Sequence, residues 1–176
     1  MPSDKDRISE RRRPLAYIAA PLFCVSEREF NARLKRVLLP YVEVFLPQED
    51  GGLMTELVAT GASSGDAAAA VFAMDVTAIR RCDMLLIVLD GRVVDEGASV
   101  ELGIAYALGK KCIGLQTDVR RLTMGRNNPM VECSLSAVFT SEASLVSWLA
   151  AMDTARVPSH VQDRADSARL SLIVKS

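Results

Sequence analysis

The feature that most constrains the fold is the stretch from Met84 to Lys110, which reads MLLIVLDGRVVDEGASVELGIAYALGK. It opens on an uninterrupted aliphatic run, 84–89, which is typical of a strand buried on both faces. An Asp-Gly pair at 90–91 breaks the run, and from about Ala98 the pattern becomes helical. The apolar residues at helical spacing are Val100, Ile104 and Leu108. This order places the intervening loop at the carboxyl edge of a parallel sheet, where α/β proteins bind ligands.

The same alternation of short strands and helices runs through the rest of the chain. Apolar runs predict five strands, at 15–20, 42–46, 84–89, 112–115 and 137–139. Helices are predicted between them at 26–39, 67–81, 98–108 and 142–152, with long loops at 48–66 and 117–132. We therefore expect an α/β, flavodoxin-like three-layer sandwich with a five-stranded parallel sheet in the order 2-1-3-4-5.

Local signals refine two of these helices. Ser26 followed by Glu29 has the spacing of a capping box at the start of the first helix. Asp66 is a candidate cap for the helix at 67–81, whose apolar positions include Val71, Met74, Ala78 and Ile79. Asp75 then lies beside the apolar stripe rather than opposite it, which is unusual for an acid.

Length and charge indicate one soluble domain. The chain has 176 residues with a net charge of −1, so no overall field favours nucleic acid or an anionic membrane. No apolar run approaches the roughly 20 residues of a membrane span, and no signal-peptide pattern is seen. We expect a cytoplasmic protein with a disordered polar tail at 1–13, which includes Arg11–Arg13, a domain at 14–152, and an extension of uncertain structure at 153–176.

Cysteine and histidine usage argues against a metal centre. Cys24, Cys82, Cys112 and Cys133 are far apart, and the one histidine, His160, lies in a polar segment. Cys82 and Cys112 border apolar strands and are expected to be buried thiols. We expect neither a metal nor any other cofactor.

The remaining candidates for chemistry are acids. The sequence has no GxGxxG, GxxxxGK[ST] or GxSxG motif, but Asp75, Asp95, Glu96 and Glu101 are expected near Tyr17. Two carboxylates in one pocket can cleave a glycosidic bond, although acids after a strand also bind metals, cap helices or face water. The helix dipole would keep Glu101 ionised, and a second acid in the cluster would have a raised pKa and hold a proton. Glu96 is expected to be solvated.

Three segments together resemble the nucleoside 2-deoxyribosyltransferase family, over about residues 15–150. They are YIAAPLF at 17–23, MDVTAIRRCDMLLIVLDG at 74–91 and DEGASVELGIAYALGK at 95–110. The resemblance implies a flavodoxin-like fold and transfer of 2-deoxyribose between nucleobases by a double displacement with net retention. The implied partners are a deoxynucleoside and a free nucleobase.

The resemblance also implies site residues. Glu101 would be the nucleophile that attacks C1′, Asp75 and Asp95 would bind the base and supply its proton, and Tyr17 would orient Glu101. Three further residues are implied at the substrate: Gly97, Pro21 and Phe23. In the family, an asparagine from a neighbouring subunit binds the sugar 5′-hydroxyl, and Asn128 is the candidate for this role. A homodimer or higher homo-oligomer is therefore expected.

Two other functions stay open. An N-glycosidase of the same fold would cleave deoxynucleosides or their 5′-monophosphates with water, and a monophosphate needs a phosphate cradle after the first strand. Residues 21–24, PLFC, are apolar there, which favours the free nucleoside, although Ser99 could still contact a phosphate. The other alternative is a non-catalytic nucleoside-binding module on the same scaffold.

Overall fold

The computed structural model describes residues 12–52, 54–119 and 126–154, which form alternating strands and helices. The strands are β1 Leu15–Ala19, β2 Glu43–Phe45, β3 Met84–Val88, β4 Lys111–Leu115 and β5 Ala137–Phe139. The helices are α1 Val25–Leu38, α2 Pro47–Asp50, α3 Met54–Ala59, α4 Ser64–Arg81, α5 Glu96–Ala107, α6 Pro129–Glu132 and α7 Glu142–Thr154. Each predicted strand is present to within two residues at either end.

The sheet has the predicted topology. Its five strands run in the order β2-β1-β3-β4-β5, and every neighbouring pair is parallel. β1 lies beside β3, with Ala19 opposite Ile87 at their carboxyl ends. The chain therefore leaves two adjacent strands in opposite directions along the sheet, which is the switch point where α/β folds bind ligands.

Two apolar layers sandwich the sheet and explain the continuous aliphatic run in β3. Leu86 and Val88 pack with α1 and α7, whereas Leu85 and Ile87 pack with α4 and α5. All five β3 residues are buried, as the sequence indicates for a strand covered on both faces. Side chains alternate along a strand, so Tyr17 of β1 lies on the α4–α5 side of the sheet.

The inward face of α5 differs from the prediction. Val100 and Leu108 are 57% and 45% exposed, so they do not form the buried stripe. The residues that α5 buries against the sheet are Ala98, Leu102 and Ala105. The prediction was wrong because α5 is apolar on nearly all sides, so the spacing of apolar residues cannot identify its inner face. The small alanines on that face let the helix approach the sheet closely.

The helix starts also differ. Cys24, not Ser26, is the N-cap of α1, and the Glu27 carboxylate, rather than that of Glu29, accepts a hydrogen bond from the Cys24 N–H at 2.9 Å. α4 begins at Ser64, three residues before the prediction, because the Ser63 hydroxyl caps it by accepting from the N–H of Asp66. An acid lies three residues after the N-cap in both helices, but the cap of α1 is a cysteine rather than a serine, and both helix starts were predicted at the wrong residue.

The two predicted long loops contain short helices. α2 and α3 occupy about half of 48–66, and α6 lies within 117–132. Cys82 and Cys112 are buried free thiols, as predicted. No helix within the described ranges is long and apolar enough to cross a membrane. Residues 1–11 and 155–176, which hold most of both predicted terminal segments, lie outside the described residues, while Arg12 pairs with Asp83 at 3.0 Å.

Candidate active site at the switch point

Tyr17 is the centre of the candidate site. Its side chain is fully buried in the middle of β1, and its hydroxyl donates a 2.6 Å hydrogen bond to Oε1 of Glu101. Its ring stacks on Phe45 of the neighbouring strand, with centroids 5.4 Å apart and planes 15° from parallel. The phenol is therefore held by a strand and a ring contact, so its direction is fixed before any ligand arrives.

Glu101 lies in the second turn of α5 with its carboxyl turned inward. Burial raises the pKa of this carboxyl to about 8, and the nearby charges of Asp75 and Asp95 act in the same direction. The Tyr17 hydroxyl opposes this rise because its hydrogen bond stabilises the carboxylate. The expectation that the helix dipole keeps Glu101 ionised was therefore wrong: desolvation outweighs a dipole that acts mainly in the first turn.

Asp75 approaches the same phenol from α4. It is half-buried, and burial raises the pKa of its carboxyl, while a hydrogen bond with the Tyr17 hydroxyl opposes the rise. Burial and the two carboxylates together push the pKa of Tyr17 far above its ordinary value. The phenol therefore stays protonated and links an acid on α4 to an acid on α5.

Asp95 begins α5 as its N-cap. Its Oδ1 accepts from the Ala98 N–H at 2.8 Å, and its backbone carbonyl accepts from the Ser99 hydroxyl at 2.7 Å. The cap fixes the carboxylate at the end of the loop that follows β3. Glu96 is exposed, as predicted.

Three acids and one phenol thus come together from β1, α4 and the start of α5. We call Tyr17, Asp75, Asp95 and Glu101 the quartet. Like charges this close resist full ionisation, so the quartet favours states in which protons are shared among its acids. Such a set can present an ionised nucleophile and a protonated acid at the same time, which two-carboxylate cleavage of a glycosidic bond requires.

The predicted substrate residues flank the quartet in the chain. The Pro21 carbonyl, after β1, is held by the side chain of Asn31, and Phe23 is 76% exposed. Gly97 lies in the first turn of α5, where an added Cβ would come within 3.2 Å of Oδ1 of Asp95. A side chain at 97 would therefore press on the Asp95 carboxylate.

Asn128 lies elsewhere in the protomer. It is the N-cap of α6, with its Oδ1 accepting from the Met130 N–H at 2.9 Å. With Ser99 and Met130 it lines a cavity of about 440 Å³ on the β4 side of α5, and no quartet residue lines that cavity. The described part of one protomer does not bring Asn128 to the quartet.

Comparison with known proteins decides the family. The sequence model of the family described as nucleoside 2-deoxyribosyltransferase matches residues 16–156, most of the chain. The chain belongs to the nucleoside 2-deoxyribosyltransferase family. The recognition made from the three sequence segments is thereby confirmed. No curated protein matches the sequence.

Two solved structures with TM-scores above 0.6 show the same fold as this family member, and a third is similar at a lower score. A 2-deoxyribosyltransferase from Bacillus psychrosaccharolyticus superposes with a TM-score of 0.64 at 24% identity, covering 77% of this chain and 95% of the other. A conserved protein from Enterococcus faecalis V583 gives 0.63 at 22% identity, covering 80% and 99%. A CMP N-glycosidase from Clostridium botulinum gives 0.48 at 20% identity, covering 77% and 98%.

Sequence reasoning missed one residue in contact with the quartet and two beside the loop that follows β1. Phe45 stacks on Tyr17, and the amides of Asn31 and Gln48 are bonded to each other beside the loop that follows β1. Asn31 did carry a signal, since it is a polar residue flanked by the apolar positions of α1. Phe45 and Gln48 carried none, because their importance depends on which strand and helix lie beside them.

Glu101→Gln is expected to stabilise the protein at alkaline pH. The folded pKa of about 8 exceeds the ordinary 4.5, so the stability that Glu101 contributes is full below pH 4.5 and is lost as pH rises through 8. Glutamine can still accept from Tyr17 but does not ionise. We expect it to be about 2 kcal/mol more stable than wild type at pH 8.5, after discounting for partial solvent contact.

Thermal or urea unfolding of both proteins at pH 5 and pH 8.5 measures this difference. The gap is expected to shrink greatly at pH 5, where the wild-type carboxyl is protonated in the folded state. Glu96→Gln, which removes an exposed acid from the same helix, should show no such pH-dependent gain. A constant offset at both pH values would contradict a buried, protonated Glu101.

Proposed function

We propose that this protein transfers 2-deoxyribose between nucleobases through a deoxyribosyl-Glu101 intermediate. The observation that carries the proposal is the 2.6 Å hydrogen bond from the buried Tyr17 hydroxyl to Oε1 of Glu101. A module that only binds nucleosides has no need of a carboxylate aimed by a buried phenol. Family membership supports the same chemistry, and so does the name of the Bacillus psychrosaccharolyticus structure.

The first step breaks the glycosidic bond. A Glu101 carboxylate oxygen attacks C1′, the C1′–N bond breaks, and its electron pair stays on the departing base, which takes a proton. In the second step a nitrogen of the acceptor base attacks C1′ from the opposite side and Glu101 leaves as a carboxylate. The proton that this nitrogen loses returns to the acid that gave one up in the first step. Two inversions at C1′ give net retention.

The proton for the departing base comes from the acids around Glu101. Asp75 is the better placed to hold one, because burial raises its pKa and it faces the Tyr17 hydroxyl. Asp95 gives one oxygen to the α5 cap, so its other oxygen is left for the base. Asp75 and Asp95 therefore divide protonation and recognition of the base between them.

Tyr17→Phe is expected to lower kcat about tenfold and to move the acid limb of the pH profile to higher pH. The nucleophile must be ionised, and in the wild type the Tyr17 hydrogen bond lowers the Glu101 pKa against the effect of burial. Losing the hydroxyl leaves the carboxyl harder to ionise. The kcat/KM of each enzyme between pH 5 and 9 measures this shift, and an unmoved acid limb would remove Tyr17 from the role.

The N-glycosidase alternative depends on what enters after base departure. Water can replace the acceptor base, so slow hydrolysis is expected from any deoxyribosyl-enzyme. A monophosphate substrate has less support, because Arg28, a cation beside the loop after β1, donates to the Leu22 carbonyl at 3.0 Å. The Ser99 hydroxyl likewise donates to the Asp95 carbonyl.

We infer that two copies complete the site. The outer faces of α4 and α5 carry exposed apolar side chains next to the quartet: Phe72 is 60% exposed, Val100 57% and Tyr106 58%. A second copy on this face would cover it and could bring Asn128 to the sugar.

The buried free thiols fit a reducing compartment, so we propose a cytoplasmic location for the enzyme.

A chromatographic assay with a deoxynucleoside, run with and without a second free base, tests the proposal. A new deoxynucleoside that appears only with the acceptor establishes the transferase. Base release at an equal rate without acceptor indicates the N-glycosidase, to be followed by assay of the 5′-monophosphate. Binding without base release indicates the binding module.

A further inference from the structure

A buried amide network ties the loop after β1 to α1 and α2. Asn31 is 1% exposed, and its Nδ2 donates to the carbonyl oxygen of Pro21 at 2.8 Å and to Oε1 of Gln48 at 3.0 Å. Nε2 of Gln48 then donates to the carbonyl oxygen of Arg28 at 2.9 Å. An asparagine buried among apolar residues is costly unless it is bonded. Both hydrogens of the Asn31 amide are used here.

The segment that this network holds, 20–24, connects the strand of Tyr17 to α1. Side chains of the first two turns of α1 bond its backbone along its length. Glu27 accepts from the N–H of Phe23 at 2.8 Å, and Arg28 donates to the carbonyl of Leu22. Of these contacts, the Asn31 bond to Pro21 is partly buried and lies nearest in the chain to Tyr17. The others are exposed and worth less.

We propose that Asn31 and Gln48 are positioning residues that set the shape of the 20–24 loop and thereby the affinity of the site for a nucleobase. This inference rests on the proposed function. The loop leaves β1 beside β3, at the switch point, and ends in an exposed aromatic face, Phe23. A flat apolar ring is suited to stacking on a base, but only if its backbone is held in place.

The network also brings Gln48 to this loop, although Gln48 is distant from the loop in sequence. It lies at the start of α2, in the segment that follows edge strand β2. Through Asn31 it links this segment to the loop after β1, so a shift of either segment strains these hydrogen bonds. Neither amide contacts the quartet in the described structure, so their effect on the reaction is indirect.

Two variants and a control test the inference. Asn31→Leu keeps the side-chain volume and removes both donated bonds, whereas Gln48→Leu leaves the Pro21 bond intact. Leu38→Val is the control, since it loosens the same helix at its other end. KM and kcat for base release, and the Kd of a deoxynucleoside by calorimetry, are measured well below each unfolding temperature.

We expect KM and Kd to rise about tenfold in Asn31→Leu, by a smaller factor in Gln48→Leu, and not in Leu38→Val, with kcat within about threefold throughout. Unchanged KM and Kd in Asn31→Leu would overturn the inference, as would equal changes in the control. If wild type binds without releasing base, the proposed function fails, while a raised Kd still supports positioning. Absence of both binding and turnover would overturn both.

Discussion

Replacing Glu101 by alanine is expected to lower the turnover of a deoxynucleoside by about 10⁴-fold or more, because in the proposed mechanism Glu101 forms the covalent bond to C1′. The fold should stay intact, since burial disfavours the ionised form of the lost carboxyl and, among the described residues, its hydrogen bond is the one from Tyr17. Single-turnover base release, followed chromatographically, measures the loss. Near-normal activity would remove Glu101 from its role.

A matched control separates the nucleophile from general acidity. Glu96→Ala deletes an exposed carboxylate five residues earlier on the same helix and should keep wild-type activity. Intact-mass spectrometry of the wild type mixed with a deoxynucleoside and quenched should show a deoxyribosyl adduct. Glu101→Ala should show none, while an adduct that persists in this variant would place the bond on another residue.

Asp95→Asn is expected to lose about 10²-fold in kcat while its unfolding free energy changes by less than about 0.5 kcal/mol. Asparagine is as good an N-cap as aspartate, so the bond from the Ala98 N–H is kept and α5 still starts at the same place. What is lost is the negative charge and the carboxylate oxygen that Asp95 offers to the base. Steady-state kinetics and urea unfolding on the same preparation give the two numbers.

Asp66→Asn provides the comparison for that variant. Asp66 is an exposed acid in the first turn of α4 whose carboxylate accepts from the Ser63 hydroxyl at 2.7 Å. Its replacement repeats the change of charge at a helix start far from the chemistry, so activity should be unchanged. Parallel losses of rate and stability in Asp95→Asn would make Asp95 structural.

The sheet was predictable because its strands are marked in the sequence by short, nearly continuous apolar runs. β3 is aliphatic at every position, and such a run leaves few options other than a strand covered on both faces. Strict alternation with helices then fixes parallel pairing, and the topology followed. The gathering of Tyr17, Asp75, Asp95 and Glu101 was expected from motifs that resemble the family, and the structure does bring them together.

The features that sequence reasoning missed depend on the third dimension. An apolar pattern on nearly all sides of α5 does not reveal that Ala98 and Ala105 face the sheet while Val100 does not. The Glu101 pKa depends on burial, which raises it, and on the Tyr17 hydrogen bond, which lowers it. Neither effect can be predicted from the sequence alone. The Asn31–Gln48 contact joins residues on two elements whose docking no local rule predicts.

The placement of Tyr17 within β1 has a consequence for how activity relates to folding. Tyr17 is paired opposite Leu85 of β3, and successive β1 residues face opposite layers of the sandwich. A slip of one residue in this pairing would turn the phenol toward α1 and α7 and leave Glu101 without its donor. Such a chain could be compact and rich in secondary structure yet inert. Recovery of turnover after refolding therefore reports the correct strand register, which bulk spectroscopic signals of helix and sheet content do not distinguish.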